Sequence, residues 1–177
     1  ESVYRCNIGS DDEPMETFSY TAGAKVSSAS KFAKPRVLIP VFPGTNCEYD
    51  SAKAVRDAGA EPEIFVVNNR TQSAVTESVN AFAEKIGKSQ IVFIPGGFSG
   101  GDEPDGSGKF ITAFFRNAAV KEKVTELLEK RDGLMLGICN GFQALIKLGL
   151  VPYGKIIDTD ETCPTLTFNK IGRHQSK

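Results

Sequence analysis

No stretch of this 177-residue sequence approaches the roughly 18 consecutive apolar residues that a membrane-spanning helix needs. Nor does the N-terminus carry a basic segment leading into an apolar one. The chain reads as soluble and cytoplasmic, with no membrane partner. Long blocks of one charge sign are missing too: the formal net charge is -1. Nothing electrostatic favours nucleic acid, so small molecules or other proteins are the expected partners. The four cysteines, Cys6, Cys47, Cys139 and Cys163, stand far apart and form no CxxC pair. That spacing excludes a zinc ribbon and a dense disulfide framework, and reduced thiols are expected. No GxxxxGK[ST] order occurs, so the glycine-rich loop GGDEPDGSGK is not read as a nucleotide-phosphate cradle. Neither a metal nor a cofactor is expected here. Its acidic part, DEPDG at 102–106, reads as a solvated turn.

What is present is a βα rhythm in a chain long enough for one sizeable core. Residues 1–34 lack a sustained apolar period and read as a linker or the tail of a preceding domain. RVLIPVF (36–42) predicts a strand, PGTN a loop, and EYDSAKAVRDAGA a helix, with Thr45 and Asn46 as its capping residues. EIFVV (63–67), QIVFIPGG (90–97) and GLMLGI (133–138) predict three more strands. Between them, SAVTESVNAFAEKIG, ITAFFRN and VKEKVTELLEKR predict helices. Phe110, Phe114 and Phe115 have the spacing of core residues, whereas VTELLEKR reads as an exposed helix face. Such alternation predicts an α/β fold, a three-layer sandwich with a mostly parallel central sheet. Beyond Gly149 only LTF is strand-like.

In such sheets ligands gather at the carboxyl ends of the strands, where PGTNCE, PGGFSGGD and GICNGF all fall. GICNGFQ (137–143) places Cys139 between Gly137 and Gly141, after an apolar strand and before the helix-like ALIKLGL. With 17 glycines in the chain, about 0.04 cysteines flanked this way are expected by chance. The pattern is that of a nucleophile elbow, in which a sharp strand-to-helix bend holds a side chain proud of the sheet and small neighbours give clearance. The following helix would aim its unpaired N–H groups at the sulfur, an arrangement that activates cysteine. An inert buried cysteine at a strand end is the alternative. Cys47 is the competing nucleophile, since it too follows a strand, but it has no glycine on either side. Gly96 and Gly97, in PGGFSGG, could turn successive N–H groups toward an oxyanion formed at the sulfur's target.

VFPGTNCEYD, IPGGFSGGDEPDGSGKF and GLMLGICNGFQALIKLGL together resemble the class I, triad-type glutamine amidotransferase domain of the phosphoribosylformylglycinamidine synthases, from about Pro35 to the end of the chain. The resemblance implies a flavodoxin-like amidotransferase fold, with residues 35–177 as the N-terminal part of the domain and its C-terminal part missing. It implies that Cys139 attacks the side-chain amide of glutamine. Gly96, Gly97, Phe98, Asn140 and Gln143 would hold the substrate and its oxyanion. Ammonia would pass to a synthetase domain of the same polypeptide, where ATP and Mg would be bound. The family's triad also needs a histidine followed two residues later by glutamate, and the single histidine here, His174, precedes Gln175, Ser176 and Lys177. His174 is therefore read as a strand or surface residue. The chain opens at Glu1 and ends in HQSK without a turn or cap signal, which reads as a piece of something longer whose glutaminase activity alone is low. Two other readings fit an elbow cysteine: a different cysteine hydrolase or thiol redox sensor, and a non-catalytic interaction module.

Overall fold

The computed structural model describes residues 21, 23, 32–98, 108–166 and 171–173. Cys6, His174, the DEPDG loop, most of residues 1–34 and all of LTF except Leu166 lie outside them; Leu166 is not in a strand. The chain divides into two compact units, Ser28–Thr165 and a second made of Glu1–Ser27 with Leu166–Lys177. In the second, a turn at 171–173 is centred on Gly172, at φ 66°.

The larger unit runs β1 (Arg36–Val41), α1 (Glu48–Asp57), β2 (Glu61–Val66), α2 (Gln72–Lys88), β3 (Ile91–Ile94), α3 (Lys109–Phe115), α4 (Ala118–Glu129), β4 (Leu134–Gly137), α5 (Asn140–Leu148) and α6 (Leu150–Tyr153). The four strands form one sheet in the order β2-β1-β3-β4, and every pairing is parallel. Parallel neighbours need crossovers, and the helices between the strands supply them. Chain order reverses between β1 and β3, which makes the crevice beyond their carboxyl ends the place where such sheets bind ligands. β1 runs beside β2 over its whole length, from Arg36↔Glu61 to Val41↔Val66. Its ladder with β3 is confined to Val37↔Ile91 and Leu38↔Val92. Pro40 has no N–H to give a ladder, and β1 is unpaired with β3 from there to the crevice.

One face of the sheet carries the main core. Leu38, Val92 and Ile94 meet Phe82 and Ile86 of α2, Phe114 and Phe115 of α3, Val124 and Leu127 of α4, and Leu145 and Leu148 of α5. The phenylalanines pack as their spacing implies: the rings of Phe42 and Phe114 lie 5.3 Å apart, edge to face, and those of Phe82 and Phe115 lie 5.6 Å apart. Phe42, just past β1, thereby pins the loop that leads to Cys47. The other face is covered by α1 over Val37, Ile39 and Phe93. Helices on both faces make the three layers.

Two local expectations are corrected. Thr45 and Asn46 do not cap α1: the N-cap is Cys47 in a left-handed conformation with no side-chain cap, and the Thr45 hydroxyl accepts from the Phe42 N–H at 3.0 Å instead. VTELLEKR is not simply an exposed face, because Val124 and Leu127 are buried and Arg131 donates to the Ile86 carbonyl at 2.9 Å, serving the C-terminal end of α2. β4, present as expected, is exposed on one face. Its residues alternate, and Leu134 and Leu136 are 61% and 48% exposed, so the apolar run covers one side only among the described residues.

Candidate active site

β4 ends at Gly137 and α5 starts at Asn140, so Ile138 and Cys139 make the whole bend. Cys139 sits at φ 51°, ψ -108°, a region that costs a non-glycine residue about 1–3 kcal/mol. The flanking glycines explain how so sharp a corner closes. A Cβ on Gly137 would lie 2.7 Å from the Gly141 carbonyl oxygen, and one on Gly141 only 2.2 Å from the Ile94 carbonyl oxygen. Neither position has room for a methyl group. The corner is held by the Ile138 N–H, which donates to Ile94 O at 3.1 Å, and by the Gly141 N–H, which donates to Ile138 O at 2.8 Å. Its product is an exposed thiol at the N-terminal end of α5.

The loop after β3 packs against this thiol. A Cβ on Gly96 would stand 3.1 Å from Cys139 Cβ and 3.9 Å from its Sγ, so a side chain there would crowd the sulfur. The same loop is tied to the loop after β1: Asn46 N–H donates to Gly96 O at 2.9 Å, and Phe98 N–H donates to Gly44 O at 2.8 Å. Gly97, between them, has φ 131° and would clash with Gly44 O at 2.3 Å if it bore a Cβ. Thus the loops after β1, β3 and β4 converge at the crevice where chain order reverses.

Between them lies a mostly apolar cavity of about 270 Å³. Cys139, Gly96, Gly97 and Phe98 line it, as the sequence reading expects of one site, together with Ile138. Asn46 and Cys47, from the PGTNCE loop expected at the same sheet edge, line it from the β1 side, as does Ser51, which that reading did not single out. Cys47 is exposed and has φ 67°. Its approach to Cys139 depends on the bridge between Thr45 and Gly97, a contact between distant segments that local sequence does not reveal. Asn140 and Gln143 do not line the cavity. Asn140 is buried, and its Nδ2 donates to Gln143 Oε1 at 3.0 Å on the first turn of α5. The Phe98 N–H, being committed to Gly44, is not turned to the cavity in this state.

A thiol raised on such a corner can attack an electrophilic carbon in the crevice. Gly97 lines the same cavity as the thiol, and Cys139 stands at the N-terminal, positive end of α5. No histidine is among the described residues. The described residues also contain no group of three His, Cys, Asp or Glu side chains able to hold a metal. No helix among them is long and apolar enough to cross a membrane.

Fold and site define a doubly wound α/β protein with an elbow cysteine at the switch point of its sheet. A model of the CobB/CobQ-like glutamine amidotransferase domain matches residues 34–177, and the chain belongs to that family. It is 35% identical over 145 residues to phosphoribosylformylglycinamidine synthase subunit PurQ of Dehalococcoides mccartyi, covering 82% of this chain and 51% of that protein. It is 38% identical over 152 residues to the subunit of the same name from Treponema denticola, covering 81% and 52%. Among solved structures, PurLQS from Thermotoga maritima aligns at TM-score 0.45 and 29% identity, over 66% of this chain and 45% of that one. The chain spans about half the length of the curated relatives it matches.

Proposed function

We propose that this chain carries the nucleophile of the glutaminase in a phosphoribosylformylglycinamidine synthase. The Cys139 thiolate adds to the side-chain amide carbon of glutamine; the amide nitrogen takes up a proton, the C–N bond breaks and ammonia leaves, and water then cleaves the glutamyl thioester to glutamate and the free thiol. Gly96, Gly97 and Phe98 form the wall beside the sulfur, with the Gly97 N–H as an oxyanion donor. Asn140 begins the helix whose positive end supports the same charge, and Gln143, held by Asn140, contacts the substrate one turn on. Ammonia passes to a synthetase portion of the same cytoplasmic polypeptide. There, ATP and Mg drive conversion of formylglycinamide ribonucleotide to formylglycinamidine ribonucleotide. This reading draws on the family and on the names of the relatives.

One observation carries it: an exposed cysteine in a strained bend between two glycines that tolerate no side chain, packed against Gly96. The test uses full-length protein and a chloroketone analogue of glutamine, with the adduct located by mass spectrometry. Labelling is expected at Cys139, and Cys139→Ala should lose both labelling and glutaminase activity. Labelling elsewhere, or glutaminase that survives Cys139→Ala, would refute the assignment. Because no HxE pair follows Cys139 in this sequence, the 177-residue chain alone is expected to label but to turn over poorly.

A second reading, a thiol redox sensor, has one observation in its favour, the presence of Cys47 on the same cavity wall. Preferential reaction of both thiols with peroxide, and of neither with the glutamine analogue, would decide for it.

A further inference from the structure

At the far end of α5 from Cys139 lies a second, larger hollow of about 450 Å³. Lys147 lies eight residues along the helix from Cys139, which at the helical rise is about 12 Å away. α3 contributes Lys109, Thr112 and Arg116 to its wall, α5 contributes Lys147, and the segment that follows α6 contributes Thr159 and Thr165. Among the described residues, three cationic side chains and three hydroxyls line it and no carboxylate does. The chain as a whole is close to neutral, so this is a local concentration of positive charge and not a reflection of composition. Of the two acidic residues that flank Thr159 in sequence, Asp158 and Asp160, Asp160 accepts from the Thr162 hydroxyl at 2.7 Å.

Part of this cluster has a structural explanation. Arg116 Nη2 donates to the Lys147 carbonyl at 3.3 Å and to Thr159 Oγ1 at 3.2 Å, so the guanidinium serves the carbonyl end of α5 and ties it to the later segment. Thr112 has no such explanation. It is 7% exposed, and its Oγ1 is buried without any hydrogen-bond partner, the only such side-chain atom among the described residues. A buried hydroxyl left unpaired costs about 1–3 kcal/mol. A helical threonine can return its hydroxyl to the carbonyl four residues back, but Gly108 O instead receives only the Thr112 N–H, at 2.8 Å.

We propose that this hollow is a binding site for a phosphate group, in which Thr112 Oγ1 and the Arg116 and Lys147 cations contact the same anion. A phosphate dianion fits better than a carboxylate. Its oxygens point in several directions and can meet donors from α3, α5 and the later segment at once, and its double charge is matched by more than one cation. The guanidinium keeps N–H groups beyond the Nη2 contacts, and these can bind phosphate without breaking the tie to α5. The site is separate from the Cys139 cavity and shares no lining residue with it.

Calorimetric titration of the full-length protein tests this with inorganic phosphate, ribose 5-phosphate and acetate as probes. Saturable phosphate binding is expected, with acetate weaker by about tenfold or more. Ribose 5-phosphate separates the sources: tighter binding than phosphate identifies a sugar-phosphate ligand, and weaker binding identifies the free ion. Lys147→Gln and Thr112→Val should each weaken phosphate binding by about tenfold, the loss of one hydrogen bond to a charged group. Thr112→Val keeps the shape and removes only the unpaired hydroxyl, so the thermal midpoint without phosphate should stay the same or rise. Absence of phosphate binding at roughly 10 mM, or binding that both substitutions leave unchanged, would overturn the proposal. Glutaminase activity is not part of the readout, so the outcome is independent of the role given to Cys139.

Discussion

The Cβ position of Gly141 lies 2.2 Å from the carbonyl oxygen of Ile94, the last residue of β3, so the first turn of α5 is pressed directly onto the backbone of the neighbouring strand. Backbone cannot move aside as the end of a flexible side chain can. Gly141→Ala should therefore cost about 3 kcal/mol or more in urea unfolding, as an overpacking change in a close-packed layer does. Gly87, on the last turn of α2, has nothing within 4 Å of its Cβ position. There the same substitution should stabilise the protein by about 0.5–1 kcal/mol, because alanine loses less backbone entropy in a helix. Opposite signs for the two variants are the expected outcome.

Cys139 is strained at the corner between β4 and α5. At φ 51° and ψ -108° a glycine is at ease and an alanine is not. Cys139→Gly should be more stable than Cys139→Ala by about 1 kcal/mol in thermal or denaturant unfolding, although both lack the sulfur. Equal stabilities would mean that the corner relaxes in solution and that the elbow is not held under strain.

That corner was legible before any coordinates because its cause is local. Two glycines around a cysteine, after an apolar strand and before a helix, leave few other geometries, and Gly137 and Gly141 are each excluded from bearing a side chain by atoms of the corner itself or of the next strand. The parallel sheet was legible for a similar reason, since β1 and β3 are short apolar runs separated by amphipathic helices. What escaped depends on long-range contact. Asn46 and Thr45 have the composition of helix caps, yet the bridge to Gly97 draws them into the crevice and leaves Cys47 in the left-handed N-cap position. Arg131 looks like a solvated charge until the carbonyls of Ile86 and Ser89 are brought beside it from a different helix end. Thr112 carries no signal at all in sequence, since an unpaired hydroxyl is a property of the packed state.

α2 begins with a cap that the sequence pattern did not single out. Thr71 lies in extended conformation, and its hydroxyl oxygen accepts the Ala74 N–H at 3.1 Å. It satisfies one of the orphan donors at the start of a 17-residue helix that buries Val79, Phe82 and Ile86. Thr71→Ala should lower stability by about 1 kcal/mol, and Thr71→Ser should recover most of it. Chemical denaturation of the three proteins under one set of conditions checks both statements.

The turn that follows Thr159 should loosen in acid. The Asp160 carboxyl is held below its ordinary value, first by the Thr162 hydroxyl, then by the Thr162 backbone N–H at 2.9 Å, and further by the Cys163 thiol at 3.6 Å. Each of these donors favours the ionised form. A carboxyl whose value is depressed by folding contributes stability that is fully present above its unfolded value and is lost as pH falls through the folded one. The turn at 160–163 should therefore be intact at neutral pH and weaken only below the usual carboxylate range. Backbone N–H chemical shifts of Thr162 and Cys163, followed by NMR as pH is lowered, should titrate together at a pH below that of an unperturbed aspartate. Asp160→Asn keeps an acceptor oxygen but has no proton to gain, so in that variant both shifts should stay flat over the same range. A transition that persists in Asp160→Asn would assign it to another group.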